Sequence, residues 1–442
     1  MIGAICSLSP LLYFKLFPGT LFVLPYIDQT VITEVLIPLG LSFYALQQIT
    51  GLFDCTRKGV GQLKLNEYLL YSFCFFYLPS GPILPYRSAV TQLANMASVH
   101  ISLEQFSKGL SLFILGFSKK VLCADPISQW IDAFYNLLEQ NPETILSGTE
   151  MSYIVWGSTL QFYFEFSAYS DMAIGIGLCF GMLLPINFDS PLKAKSPMEY
   201  INSWHMSFMA FVREYVFQPV FMHLKHLPIK AMEFRYTVAW VCAVFATFFV
   251  TGAWHAPTPT AIFYSVIFAL IAVTIELTTR KINIKHNWLN KLLLPLSRLL
   301  LLTGISFTAV CFRTPDGELL QAVMSSCVTN FHFSVSPRFW PTDLFPLFIT
   351  TDGFFPNYPN ELGLQGLAGF LSPGESLLHI LIVTAIVFFM PNSMEIFQLH
   401  SSKKYSVLSS RWNLSKGHAV ALGFLFVCSL MLFSYDSGFI YG

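Results

Sequence analysis

The chain returns repeatedly to runs of about 20 mostly apolar residues, the length a helix needs to cross a bilayer. These runs lie near 9–28, 34–53, 68–86, 103–123, 151–184, 236–254, 258–277, 293–313, 377–397 and 418–438. A soluble chain of 442 residues would need a charged shell, yet only 11% of its positions are charged and 54% are hydrophobic. An ordinary soluble domain carries roughly 25% charged residues. Aromatics reach 16%, with 44 Phe, which suits lipid-facing and interfacial surface. The pattern predicts an all-α polytopic membrane protein with about ten transmembrane helices.

Other sequence features narrow the class further. The formal net charge of zero supplies no field for nucleic acid. Nine cysteines without a C-x-x-C pair predict neither a disulfide framework nor a metal site. No basic stretch precedes the first apolar run, so no cleaved signal peptide is expected. Internal self-similarity is not visible, and 1–442 is expected to form a single membrane domain. The 151–184 run suits a steeply tilted helix or a helix plus a re-entrant piece. Residues 206–222 are apolar but interrupted by Arg213, Glu214 and Pro219, which predicts a re-entrant or interfacial segment.

Orientation follows from where Lys and Arg collect. Arg280, Lys281, Lys285 and Lys291 fall in one inter-span loop, and Lys403, Lys404, Arg411 and Lys416 in another. Both loops are predicted to be cytoplasmic. The 314–376 stretch between them carries six acids against Arg338 and is expected outside, as an extracytoplasmic insertion. With Lys225, Lys230 and Arg235 also cytoplasmic, the 236–254 span runs outward and delivers Trp254-His255 to the outer half. Trp204-His205 stands among Lys193, Lys195 and Lys225, on the cytoplasmic side. Two histidines therefore approach the membrane from opposite faces.

An ionisable group at membrane depth faces protein or a wet cavity. A neutral imidazole at His255 could take a proton from a hydroxyl as its oxygen attacks an acyl carbonyl, which is general-base help worth roughly 10²–10⁴ in rate. The plainer reading is a His-Trp pair satisfied by backbone. His205 and Arg213, eight residues apart, would share a face if helical. Arg213 could then hold an anionic or carbonyl group of a cytoplasmic donor, with Ser207 and Tyr215 nearby; the alternative is snorkelling at the interface. Glu165 and Asp171 are roughly 240° apart on a helix, so they are expected to bond neighbouring helices or line a tunnel beside Tyr169, and not to form a catalytic pair. Ser80-Gly81-Pro82 breaks any regular helix and is read as tunnel lining. His223 and His226 lack the repeated boxes of a di-iron oxygenase.

Taken in order, several stretches resemble the bacterial branch of the membrane-bound O-acyltransferase family, the branch of alginate O-acetylation and teichoic acid D-alanylation. They are Leu36 to Phe43, Ser80-Gly81-Pro82-Ile83 with Tyr86, Phe164 to Gly175, and Asn187-Phe188-Asp189-Ser190-Pro191. Trp204-His205-Met206-Ser207 with Arg213 and Tyr215, Gly252-Ala253-Trp254-His255, and Pro391-Asn392-Ser393 complete the set. The resemblance implies a ring of helices and re-entrant segments around a central funnel and tunnel. His255 would match the family's catalytic histidine and His205 its second, cytoplasm-side histidine, with Trp254, Trp204 and Asn187 beside them. No tightly bound cofactor or metal is implied. The donor would be an acyl thioester, acyl-CoA or acyl carrier protein, and the acceptor a hydroxyl of an exported polysaccharide or other envelope molecule.

The implied setting is the inner membrane of a bacterium, with the bilayer, the cytoplasmic donor and a periplasmic or extracellular acyltransferase as partners, and acetyl as the acyl group by analogy. The chain departs from the pattern at Ala256-Pro257, at Ile201-Asn202-Ser203, at Glu165 and Ala168, and in beginning close to the Pro38 region. Two further readings stand beside the enzyme. One is a transporter of an acyl carrier or glycan; the other is a non-catalytic subunit of an acylation complex.

Overall fold

The computed structural model describes residues 7–13, 40–55, 64–77, 80–140, 148–255, 258–282, 287–314, 320, 321, 323, 373–399, 412, 413 and 415–433. The helices are α1 (Leu41–Cys55), α2 (Leu65–Ser72), α3 (Tyr86–Asn95), α4 (Leu103–Lys119), α5 (Asp125–Gln140), α6 (Gly148–Cys179), α7 (Pro197–Ile201) and α8 (Met206–Val212). They continue with α9 (Gln218–Leu224), α10 (Met232–His255), α11 (Pro259–Ile282), α12 (Asn287–Arg313), α13 (Pro373–Phe389), α14 (Ser393–Ile396) and α15 (Lys416–Leu432). No described residue lies in a strand. Most of the 9–28 run, the start of the 34–53 run, Ala256-Pro257, nearly all of the 314–376 insertion and most of the basic 398–417 loop lie outside the described residues.

Three described helices are long and apolar enough to cross a membrane: Met232–His255, Ala261–Thr278 within α11, and Pro295–Arg313 within α12. Residues 151–179 of the 151–184 run belong to a single helix of 32 residues, α6, about 48 Å long at 1.5 Å per residue. It is buried along nearly its whole length, so its apolar character serves protein neighbours on every side. Its most extensive partner is α4. There Gly109 faces Gly175 so closely that a Cβ on either would stand 2.6 Å from the other's carbonyl oxygen. Small residues let the two backbones touch, as membrane helix pairs do in place of hydrophobic driving force.

The 68–86 run is interrupted, as the helix-breaking Ser80-Gly81-Pro82 predicts. It is not one helix: α2 stops at Ser72, the described residues 73–77 and 80–85 lie outside any helix, and α3 begins at Tyr86. Pro82 and Pro85 cannot supply helical N–H groups, and two tyrosine hydroxyls bond backbone carbonyls on either side of the break. The Tyr71 hydroxyl donates to the Leu84 carbonyl at 2.9 Å and Tyr77 to the Tyr71 carbonyl at 2.6 Å. The 377–397 run is likewise split, with α13 ending at Phe389 just before Pro391.

Two longer helical stretches, α4–α5 and α8–α9, each pass through a π turn, at Lys120–Ala124 and Arg213–Phe217. Both turns end two residues before a proline, Pro126 and Pro219. Pro126 lacks the N–H that would bond the Leu122 carbonyl four residues back. His379 of α13 fills the gap, its Nε2 donating to that carbonyl at 2.7 Å; the carbonyl can only accept, which sets the tautomer. The π turn also splays two adjacent lysines. Lys119 pairs with Asp171 at 2.7 Å, whereas Lys120 meets Asp125 and, at 3.7 Å, Glu165. Buried charges in an apolar protein persist when paired this way.

His379→Ala removes the donor to Leu122 and should lower stability by roughly 1 kcal/mol, read as a lower thermal midpoint in detergent. Pro126→Ala restores a backbone N–H, so the double variant should regain most of that loss. Equal midpoints for the single and double variants would show that His379 does not act through Leu122.

Candidate active site

One face of α10 organises the site. Trp240, Val244, Phe248, Thr251 and His255 follow one another at three- or four-residue steps, so they form one stripe along the helix. The upper end of the stripe meets a cavity of about 140 Å³ lined by Trp204, His205, Phe208, Thr251, His255 and Phe312, among others. The lower end meets a second cavity of about 310 Å³ lined by Asn202, Arg213, Phe217, Trp240 and Val244. Ile201, Met209 and Phe248 line both.

His255 ends α10 with its ring against Trp254 at 4.5 Å and edge-on to Phe312 at 4.9 Å. Its helix is held close to α11 at Gly252. A Cβ there would stand 2.9 Å from the Ala261 carbonyl oxygen and closer still to Ser265, so only glycine lets the two helices meet beside the histidine. Trp254 points away from the cavity into the core, stacked on Phe208 at 4.6 Å and edge-on to Phe43 at 5.8 Å.

His205 precedes α8 in the left-handed region, φ 43°, ψ 53°, which costs a side-chain-bearing residue roughly 1–2 kcal/mol. Asn187 holds the turn. Its carbonyl accepts from Met206 N at 2.9 Å, and its Oδ1 accepts from Ser207 N at 3.2 Å and Ser207 Oγ at 2.6 Å. Asn187 Nδ2 donates to Ser170 at 3.0 Å, and Ser207 Oγ accepts from Ile83 N at 2.9 Å. The imidazole so placed is 3% exposed, packed by Phe166 at 4.5 Å and Phe208 at 5.0 Å. Its Nε2 has no hydrogen-bond partner among the described residues. Phe208 also lies 6.1 Å from the His255 ring, so the two histidines flank one aromatic side chain on a shared cavity.

The structure therefore brings His205, His255 and Trp204 together and places Arg213 in the adjoining cavity, where it donates to Asn202 at 2.6 Å. His205 and Arg213 serve neighbouring cavities, since His205 caps α8 and Arg213 opens the π turn after it. Other residues expected at a tunnel line neither cavity. Asn187 and Ser207 shape the His205 turn. Ser80 and Pro82 are buried in the irregular stretch before α3, where the Tyr169 hydroxyl meets the Ser80 backbone. Tyr215 donates to Asp54 at 3.4 Å. Glu165 and Asp171 bond neighbouring helices, one of the two outcomes expected for them; Asp171 accepts from Ser393 at 2.5 Å as well as from Lys119. Asn392 reaches Asp189 at 3.0 Å and Ser190 at 2.8 Å, so motifs 200 residues apart form one scaffold behind the site.

Sequence reasoning missed most of the cavity wall. Thr251 was legible as the residue one turn before His255, and Phe208 as the third after His205. Thr159, Tyr264, Ser265, Thr308 and Phe312 carry no local signal, because tertiary packing alone turns them inward. The cavity is mostly apolar, and none of its lining residues is acidic. An imidazole working there does so without a carboxylate among those residues.

Asn187→Ala should destabilise the protein by about 1–3 kcal/mol, because it strips partners from the buried Ser207 N–H and hydroxyl and from Ser170. Asn187→Asp, which keeps the acceptor, should lose less. Thermal midpoints in detergent measure both, and an unchanged Asn187→Ala midpoint would contradict the clamp. Gly252→Val should drive α10 and α11 apart and lower the yield of folded protein far more than Ala253→Val on the neighbouring position.

Residues 53–312 match the membrane-bound O-acyltransferase (MBOAT) family. The chain is 32% identical over 234 residues to a probable alginate O-acetylase AlgI of Pseudomonas putida, covering 52% of this chain and 46% of that one. It is 30% identical over 252 residues to a peptidoglycan O-acetyltransferase of Helicobacter pylori, covering 50% and 46%. A teichoic acid D-alanyltransferase of Bacillus subtilis is 28% identical over 313 residues, covering 70% and 75%. The chain thus spans about half the length of the alginate and peptidoglycan relatives it matches. The matched region contains α2 through α12 and both histidines of the cavity, and with it the chain belongs to the membrane-bound O-acyltransferase family.

Proposed function

We propose that the chain is an acyltransferase of the bacterial inner membrane. It would move a small acyl group, acetyl in the first instance, from a thioester delivered at the cytoplasmic face to a hydroxyl of an exported polysaccharide or other envelope acceptor. The observation that carries this reading is the pair of imidazoles on one apolar cavity, continued along the same face of α10 by the Arg213 cavity. The relatives' names support the reaction class: they are an O-acetylase, an O-acetyltransferase and a D-alanyltransferase. The reading includes one membrane domain over 1–442, about ten spans in a ring around a funnel, and 314–376 outside. A periplasmic or extracellular acyltransferase would complete the assembly.

In this mechanism the neutral His255 accepts the proton of the acceptor hydroxyl as its oxygen attacks the thioester carbonyl. The tetrahedral intermediate collapses, the C–S bond breaks, and the thiolate takes the proton held by His255 to leave as thiol, which returns the imidazole to its neutral form. His205, neutral, offers Nε2–H to the carbonyl oxygen as charge develops there. Desolvation by Phe166, Phe208 and Phe312 strengthens such bonds and excludes competing water. Arg213 stands one cavity away, where a donor's anionic group would be held.

His255→Ala and His255→Gln should lower acyl ester on the envelope polymer by about 10²–10⁴ with protein still inserted in the membrane, measured by alkaline release and chromatography of the freed acid. Undiminished ester would remove His255 from the chemistry and favour transport or an accessory role.

A further inference from the structure

Three residues, Ile201, Met209 and Phe248, line both cavities and form the wall between them. Their mobilities differ by chemistry and packing. Phe248 is braced against Phe268, ring centroids 5.2 Å apart, and sits on the long helix α10. Ile201 is β-branched, stiff at χ1, and ends α7. Met209 lies one turn after His205 on α8, partly exposed, with an unbranched side chain of three rotatable bonds. A wall with two fixed members and one flexible member opens at the flexible one.

The volumes give the wall a selective role. The histidine cavity, about 140 Å³, is close to the roughly 150 Å³ that holds a benzene-sized guest. The Arg213 cavity is more than twice as large, about 310 Å³. A path that narrows at Met209 and then opens into the smaller space admits a short acyl group and retains a bulky carrier.

We propose that Ile201, Met209 and Phe248 are the selectivity wall of the acyl path, with Met209 its movable member, and that they restrict this chain to short, unbranched acyl groups. The inference rests on the acyl-transfer reading proposed above. Its test separates the wall from the ester chemistry. Thr251→Cys places a reporter thiol in the histidine cavity, and anionic (2-sulfonatoethyl)methanethiosulfonate is applied from the cytoplasmic side of inside-out vesicles. Labelling at position 251 is read by peptide mass spectrometry.

Adding Met209→Ala should speed labelling at least about tenfold, and Met209→Trp should slow it by a similar factor. Size discrimination of about 10–200-fold accompanies a single methylene in an apolar pocket. Phe217→Ala, which lines the larger cavity alone, should change the rate little. Rates at position 251 indifferent to residue 209 would overturn the proposal, whatever the His255 variants do. In cells, Met209→Ala should raise the share of four- to six-carbon acids released from the envelope relative to acetate. If labelling follows residue 209 while His255→Ala leaves ester intact, the wall stands and the acyl-transfer reading falls.

Discussion

Backbone polar groups at membrane depth must find partners inside the protein, since hydrocarbon offers none. This requirement bears on several of the helix breaks among the described residues. Where prolines remove N–H groups, the structure supplies substitutes. Tyr71 and Tyr77 serve the irregular stretch before α3, and His379 serves the carbonyl that Pro126 abandons. The turn that carries His205 is held by the same logic, with Asn187 and Ser207 closing the bonds that a regular helix would have made. At these breaks irregular backbone is tolerated because side chains take up its bonds.

Those partners join distant segments. Asp171 of α6 binds Lys119 of α4 and Ser393 of α14. Asn392 beside Ser393 reaches back to the Asp189-Ser190 turn that follows Asn187. A chain of hydrogen bonds and one ion pair thus runs from the α4–α6 contact, through the C-terminal region, to the segment that fixes His205. Ionic groups in an apolar interior persist only in pairs, and here the pairs lie behind the cavity and leave its walls to aromatic rings and hydroxyls. A second network on the other side joins Arg87 to Glu214 at 3.0 Å and to Asp54 at 3.5 Å. It braces the π turn from which Arg213 faces the larger cavity.

The left-handed backbone at His205 belongs with this organisation. A non-glycine residue in that region stores strain, and such residues persist where surrounding structure over-determines them. The strain aims the imidazole between Phe166 and Phe208, at the cavity that His255 meets from α10. Phe208 is in ring contact with both histidines and with Trp254 and stands between the two imidazoles. A site of this kind is rigid on the histidine side and adjustable at Met209.

Much of this was open to the sequence. Runs of apolar residues and scarce charge identify the lipid environment, because a helix in hydrocarbon has to be apolar over its whole length. The histidines at 205 and 255 stand out for the same reason: a polar group in such a run needs a use. Glu165 and Asp171 could be separated by helical periodicity alone and do bond different neighbours. What sequence could not decide is which polar residues face a cavity and which face a partner. Asn187, Ser207, Tyr169 and Tyr215 carry the same chemistry whether they line a passage or brace its walls. Helix breaks were ambiguous too, since the 68–86 run has the composition of a span and the partners of a loop. Only tertiary packing, by placing Asn187 under Ser207 and Phe208 between two imidazoles, settled those roles. A side chain's surroundings come from segments hundreds of residues away, and local periodicity carries no information about them.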